Sequence, residues 1–338
     1  MRAKFGWAQV SAAVLLVAVP AFAHPAGATA STPPRWNSVS TKAGPPARDA
    51  SSMAYDSKTR TTILFGGEGP GGGLDDTWSF TGRDWTDLVL AQSPSARWDA
   101  TMAYDPEIGK LVLFGGYGGT VLRDTWTFDG VTWTRLSPPE SPPARANASM
   151  SYDPVTGTLI LFGGWLGGGL SDNTNDTWSF NGTTWTRLVP HRSPPDLCHT
   201  AMAFDTTSGQ LVLFGGFDGT GTEDETWTFS GHTWIRMAEH RRPSDRAGST
   251  MDFDKALGMI VLFGGTAIST SGSQWFAGMD FNDTWEFNGR SWAEVRSGPK
   301  PLARWTATMA YVPSLHGLVL FGGVNNKSGD LADTWRLG

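Results

Sequence analysis

The stretch "LVLFGG" at residues 111–116 decides the fold, because variants of it recur along the whole chain. An apolar run closed by two glycines also stands at 62–67, 159–164, 211–216, 260–265 and 318–323. Successive glycine pairs are 49, 48, 52, 49 and 58 residues apart. A period of about 50 residues is typical of repeat architectures built from one supersecondary unit. The sequence therefore predicts six copies of one unit.

Each unit contains four strand-like runs, named strands A to D here. In the second unit they are "RWDATMAY", "KLVLFGG", "DTWTFDG" and "VTWTRLS". Short runs rich in Val, Ile, Thr, Phe and Trp, broken by Gly, Asn and Asp, are typical of an antiparallel meander. Strand B is apolar on both faces, as a buried central strand is, and its two glycines permit a positive φ where the chain leaves the sheet. No helical period is seen after residue 30, so the fold class is all-β.

The tryptophans predict how the six units close on themselves. Strand C carries a Trp in all six units, but strand D carries one in only five, because the chain stops at Gly338. Trp36, in "RWNSVS", precedes the first unit and matches the missing strand D. We therefore expect the N-terminal strand to complete the last unit, which closes a ring and removes free sheet edges.

These features resemble the kelch-repeat β-propeller family, and secreted bacterial members of it in particular. The shared features are the double glycine after strand B, the Arg that opens strand A, the aromatic residue in strand C and the Trp that opens strand D. The resemblance covers residues 33–338 and implies a six-bladed propeller of four-stranded antiparallel blades. The fourth unit departs from it, with Leu197 in place of Arg and Glu225 in place of Asp before Thr-Trp, and the fifth carries a long insertion. The family includes scaffolds, glycan and protein binders, and a minority of enzymes.

Residues 1–30 read as a secretory signal. Arg2 and Lys4 precede an apolar run at 12–19, and small residues at 21–23 and 28–30 offer cleavage sites near 23 or 30. The apolar run is too short to span a bilayer. We expect residues 31–338 to form one exported, extracellular propeller domain.

Charge and cysteine content exclude several partners. The net charge is −6, and removing residues 1–30 takes away two cations and no acids, which leaves −8. An acidic chain without basic clusters argues against nucleic acid or anionic lipid as a partner. No later run is long enough to enter a membrane. Cys198 is the only cysteine, so no intramolecular disulfide is possible. We expect a monomer that needs no cofactor.

The meander predicts which loops share a face. Because antiparallel strands reverse direction each time, the B–C loops lie with the D–A loops, and the short A–B and C–D turns lie opposite. The B–C loops differ from one another and present Tyr117 and Phe217. After residue 30, four tryptophans fall outside the repeat positions and belong to this same face: Trp98, Trp165, Trp275 and Trp305. Such aromatics suit sugar stacking or protein contacts, or else they cover the channel and fill gaps between loops.

Arginines are the second feature of this face. They open strand A in five units and are expected to ring the channel mouth: Arg48, Arg97, Arg145, Arg246 and Arg304. A guanidinium fork suits the carboxylates of an acidic ligand. Alternatively, each arginine pairs with the acid that precedes Thr-Trp in its unit, which is a structural role. The third position of strand A varies between units, which makes Asp99, Asn147 and His199 further candidates.

No catalytic constellation or metal site is predicted. Copper-radical oxidases share the fold, but Tyr117 and Cys198–His199 are too few residues for their centre. The Glu-x₃-Asp-x₃-His iron motif of plant specifier kelch proteins is absent, the histidines lack ligand spacing, and there is no Gly-x-Ser-x-Gly elbow.

Three functions stay open. The first is a secreted binding module that recognises a glycan or an extracellular protein on the B–C/D–A face. The second is an extracellular sugar-processing enzyme, epimerase- or oxidase-like, since an exported kelch relative that epimerises sialic acid uses the same channel mouth. The third is an accessory domain whose partner is encoded nearby.

Overall fold

The computed structural model describes residues 34–271 and 274–338, with the side chains of 271–277 outside the described part. The predicted signal at 1–30 also lies outside the described residues. Within these ranges no helix is long and apolar enough to cross a membrane.

Six four-stranded antiparallel sheets make up the described chain, which confirms the predicted six-bladed propeller. Strand A of each blade begins four residues after the position at which the sequence analysis started it. The A strands of blades one to six are Ser52–Asp56, Thr101–Asp105, Ser149–Asp153, Ala201–Asp205, Thr250–Asp254 and Thr308–Val312. The B strands are Thr61–Phe65, Lys110–Phe114, Thr158–Phe162, Gln210–Phe214, Met259–Phe263 and Gly317–Phe321. The last four residues of every B strand are buried, as expected for a strand covered on both faces.

The outer two strands of each blade carry the repeated tryptophans. The C strands are Thr77–Phe80, Thr125–Phe128, Thr177–Phe180, Thr226–Phe229, Thr284–Phe287 and Thr334–Leu337. The D strands of blades one to five are Trp85–Asp87, Trp133–Leu136, Trp185–Leu188, Trp234–Arg236 and Trp292–Val295. Blade six takes its strand D from the N-terminal Trp36–Val39, which pairs antiparallel with Thr334–Leu337. The predicted closure is confirmed.

Three B–C loops form small hairpins of their own. They are Glu68–Gly69 with Gly72–Gly73 in blade one, Thr266–Ser271 with Gln274–Asp280 in blade five, and Val324–Asn325 with Gly329–Asp330 in blade six. The A–B turn of blade six is a 3₁₀ turn, Pro313–Leu315.

The tryptophans of strand D connect each blade to the one before it. Each indole N–H donates to the Thr that opens strand C of the preceding blade, at 2.8–3.0 Å. Trp36 donates to Thr284 of blade five, and Trp85 donates to Thr334 of blade six. The six bonds therefore run around the whole ring, with all six indoles buried.

The glycine pairs are required by contact between neighbouring blades. The second glycine of each pair donates its N–H to the backbone carbonyl of the residue at the arginine position of the next blade. Gly67, for example, donates to Arg97 at 2.9 Å. That same carbonyl lies 2.6 Å from where a Cβ on Gly66 would stand, and both glycines have positive φ. Any side chain at the first glycine would collide with backbone, so the strand-B glycines serve the packing between blades as well as the exit from the sheet.

Candidate functional site

A closed ring of backbone hydrogen bonds surrounds the channel near the start of the A strands. One residue per blade donates its N–H to the carbonyl of its counterpart in the preceding blade, at 2.8–3.0 Å. These six residues form the collar: Ala50, Asp99, Asn147, His199, Gly248 and Thr306. The backbone N–H and C=O of every collar residue are thereby satisfied by a neighbouring blade.

The collar explains why Asp99, Asn147 and His199 stand where they do. All six collar residues have φ between 49° and 64°, the left-handed region. Asn, Asp, His and Gly tolerate this region best among the common residues. The variation noticed in the sequence therefore has a backbone cause as well as any role in binding. Ala50 and Thr306 gain nothing from this conformation, and Thr306 is β-branched, so both are strained.

A second layer of paired residues stands above the collar. In each blade the residue before the collar residue forms an antiparallel bridge with the residue that follows the glycine pair. The six pairs from blade one to blade six are Asp49–Glu68, Trp98–Tyr117, Ala146–Trp165, Cys198–Phe217, Ala247–Thr266 and Trp305–Val324. Residues of these pairs line the channel in every blade except blade five, so one residue pair per blade largely sets the chemistry of this layer.

Together the two layers enclose a cavity of about 560 Å³ on the B–C/D–A face. Trp98, Trp165, Trp305, Tyr117, Phe217, Asp99 and His199 all line it, as does Asn147. The structure thus brings these predicted residues together. The side chain of Trp275 lies outside the described part of the chain, and its role stays a prediction.

The aromatic residues form a continuous wall on one side of the cavity. The rings of Trp98 and Tyr117 have centroids 5.0 Å apart, and those of Tyr117 and Trp165 are 6.1 Å apart. The six-membered ring of Trp98 lies on Gly73, where an added Cβ would stand 3.0 Å from two ring atoms. Trp165 donates its indole N–H to Gly169 within its own loop. The rings are therefore held in place before any ligand arrives.

Acidic residues line the part of the cavity that blades six, one and two contribute, and three of them were not expected from the sequence. Asp49, Glu68 and Asp330 line the cavity with Asp99. Burial raises the pKa of Asp99 to about 8, with repulsion from Asp49 and Glu68 adding to the effect. Burial raises the pKa of Asp49 to about 7, although a hydrogen bond from Thr306 opposes the shift. The pKa of Glu68 is also raised by burial and by Asp330.

The cavity's histidine and thiol are both neutral groups. Burial lowers the pKa of His199 to about 4 and raises that of the Cys198 thiol, which lies 3.3 Å from Nδ1 of His199. A thiol in such surroundings is a poor nucleophile, since the thiolate is the reactive form.

The five arginines do not line the cavity, contrary to the expectation that they ring its mouth. Their side chains are at most 1% exposed: Arg48, Arg97, Arg145, Arg246 and Arg304. Arg48 bonds both oxygens of Asp76 and also the carbonyls of Gly66 and Pro46. The other four repeat this arrangement with the acid that precedes Thr-Trp in their own blade. With their donors used inside the blade, they cannot turn to a ligand in the channel.

In blade four the two departures from the repeat, Leu197 and Glu225, occur at the two positions that form the Arg–Asp pair in the other blades. Where Leu197 replaces the arginine, the acid is Glu225, and its carboxylate instead bonds Arg236 of strand D at 2.8 Å. Trp227 keeps its usual bond to this acid, at 3.0 Å. The sequence held this signal, because both exceptions fall in the same unit.

The opposite end of the channel is also lined with rings. A second cavity of about 450 Å³ is surrounded by the aromatic residue of each strand A, Tyr55, Tyr104 and Tyr152 among them. These positions repeat in every blade, whereas the upper cavity differs from blade to blade.

Comparison with known proteins supports the fold alone. No family model matches the chain, and no curated protein matches it significantly. Among solved structures, one titled "Structure of YjhT" is similar with a TM-score of 0.67, covering 87% of this chain and 96% of that one at 16% identity.

Proposed function

We propose that this protein is an exported kelch-type propeller that binds a saccharide in the upper cavity. The observation that carries the proposal is that the aromatic wall of Trp98, Tyr117 and Trp165 lines the same preformed cavity as a set of carboxylates. Sugar rings present apolar C–H faces that pack on aromatic rings, and their hydroxyls donate to carboxylates and amides. Export is supported by the signal-like residues 1–30.

The shape of the site favours a small ligand over a protein surface. The cavity volume falls within the range usual for small-molecule sites, and its rings are fixed by packing rather than carried on free loop tips. Protein hot spots more often project into a pocket of the partner.

A second candidate is a sugar-processing enzyme, and one observation favours it. Asp49 and Asp99 have pKa values raised to about 7 and 8, which suits groups that give and take protons near neutral pH. The same groups also serve a binding protein, since a protonated carboxyl both donates and accepts hydrogen bonds.

A glycan array followed by product analysis separates the two candidates. Binding without turnover supports the binding module, whereas a changed product supports the enzyme. The variant Trp98→Ala should lose at least tenfold in affinity for any hit, and Trp126→Ala serves as control. Trp126 lies in strand C of the same blade and donates to Asp124, away from the cavity. Equal affinity of Trp98→Ala and the wild type would refute the proposed site.

A further inference from the structure

We infer that the saccharide bound in the upper cavity is cationic, an amino sugar with a protonated amine. This inference rests on the proposed function and narrows it to one chemical class. It rests on two features of the cavity: all of its charged side chains that the structure describes are acids, and its aromatic rings can pack against a cation as well as against a sugar face.

Every formally charged side chain that lines the described cavity is an acid: Asp49, Glu68, Asp99 and Asp330. No Lys or Arg lines it in the described part of the chain, and residues 271–277, whose side chains are not described, include neither. The arginines that repeat in five of the six blades each pair with an Asp of their own blade. The cavity therefore has no group of its own to balance these acids.

The carboxyls oppose one another's ionisation. Asp49 and Glu68 face each other across the bridge of blade one, and Asp330 raises the pKa of both. Burial raises the pKa of Asp99, and repulsion from Asp49 and Glu68 raises it further. A positive charge placed among them favours the ionised form of each one, so a cation gains from several carboxyls at once.

The aromatic residues adjoin the acids closely enough to share the same ligand. Trp98 directly precedes Asp99, and Trp305 directly precedes Thr306, whose hydroxyl donates to Asp49. Indole faces attract ammonium groups, most strongly where water is excluded. An acidic sugar, by contrast, brings a carboxylate beside four others with no cation to receive it. The site therefore selects against acidic saccharides.

The test is calorimetric titration of the whole protein with two oligosaccharides matched in size. One is the β-1,4-linked glucosamine tetramer, at a pH where its amines are protonated, and the other is its N-acetylated counterpart. We expect the glucosamine tetramer to bind at least about tenfold more tightly. Its binding should release protons from the carboxyls, seen as a dependence of the heat on the ionisation enthalpy of the buffer.

Variants assign the preference to the acids. The double variant Glu68→Gln, Asp99→Asn should lose the tenfold preference for the glucosamine tetramer and still bind the acetylated tetramer. Asp75→Asn, an exposed residue of the same loop as Glu68, should keep the preference. Trp98→Ala should weaken the binding of both tetramers, and that of the glucosamine tetramer more, because only its ammonium groups are attracted to the indole face.

Each remaining outcome counts against the inference. Equal or tighter binding of the acetylated tetramer overturns the charge assignment and leaves saccharide binding in place. If neither tetramer binds, both the charge assignment and the proposed saccharide binding are overturned. A lysine tripeptide that binds more tightly than either tetramer overturns the saccharide class.

Discussion

At the scale of single residues, the collar shows strain that serves the architecture. Thr306 and Ala50 hold φ of 49° although neither side chain favours the left-handed region. Each costs roughly 1–2 kcal/mol there, and each is held by hydrogen bonds to collar residues of the neighbouring blades. The ring closes only if all six residues adopt this conformation.

Relief of this strain is measurable. Ala50→Gly should raise the free energy of unfolding by about 0.5–1 kcal/mol, because removal of the Cβ outweighs the added freedom of glycine in the unfolded chain. Ala54→Gly, in the regular strand A of the same blade, should lower it by a similar amount. Chemical denaturation of both variants provides the comparison. Equal destabilisation by the two would show that Ala50 is not strained.

The buried carboxyls of the cavity predict a pH dependence of stability. Asp49 and Asp99, with pKa values raised to about 7 and 8, bind protons in the folded state that the unfolded chain has already lost. Their contribution therefore falls as pH rises towards 8. His199 acts in the opposite sense, but only below about pH 6.5, where the unfolded imidazole takes up a proton.

We therefore expect the wild type to lose about 2 kcal/mol of stability between pH 6.5 and 8. Asparagine keeps the shape of the side chain and tolerates positive φ. The free energy of unfolding of Asp99→Asn should therefore change less with pH across this window than that of the wild type, and the variant should be more stable at pH 8. Denaturant unfolding at a series of pH values measures this. A wild type whose stability rises through this window would contradict the raised pKa values.

At the scale of elements, an Arg–Asp pair anchors the D–A loop to strand C in five of the six blades. Arg97 is 1% exposed and bonds both oxygens of Asp124. Blade four manages without this pair, because Glu225 turns to Arg236 instead. Blade two has Arg135 at the position that corresponds to Arg236, opposite Trp126 in the register.

This correspondence permits a transplant of blade four's arrangement into blade two. Arg97→Leu alone should cost about 3–5 kcal/mol, since it leaves the carboxylate of Asp124 without its buried partner. The double variant Arg97→Leu, Asp124→Glu should recover at least about 1 kcal/mol of that loss by pairing with Arg135. A double variant no more stable than the single one would show that the two exceptions in blade four are unrelated.

The elements were predicted well because their signals repeat, and the site less well because its signals do not. Six glycine pairs and one displaced tryptophan, Trp36, suffice for the blades and their closure. Asp49 and Glu68 are isolated acids in sequence, 19 positions apart, and only the bridge of blade one brings them together. For the arginines the sequence left two roles open, and the structure shows the structural one, pairing with the acid before Thr-Trp, as repetition in the units favours.

At the scale of the whole molecule, the ring has no special seam in its packing. Trp36 is 2% exposed and makes the same indole-to-threonine bond as the five strand-D tryptophans within the repeats. The N-terminal strand is therefore as much a part of the core as any other strand D.

Closure can be tested by comparing equivalent positions. Trp36→Ala should lower the free energy of unfolding by about 3–5 kcal/mol, as Trp292→Ala should in blade five, because both remove a buried indole. Deleting residues 31–41 should cost more, since it also exposes the edge of blade six. A deletion variant that melts at the temperature of the wild type would contradict closure by the N-terminal strand.

The central claim is that ligand binds at the upper end of the channel, although both ends are lined with aromatic rings. Hydroxyl-radical footprinting with a saccharide that binds tests it directly, because each end has its own reporters. The account predicts protection of Trp98, Tyr117 and Trp165 on binding, with Tyr55 and Tyr104 at the lower end unchanged. Protection of the lower tyrosines, with the upper rings as reactive as before, would contradict it.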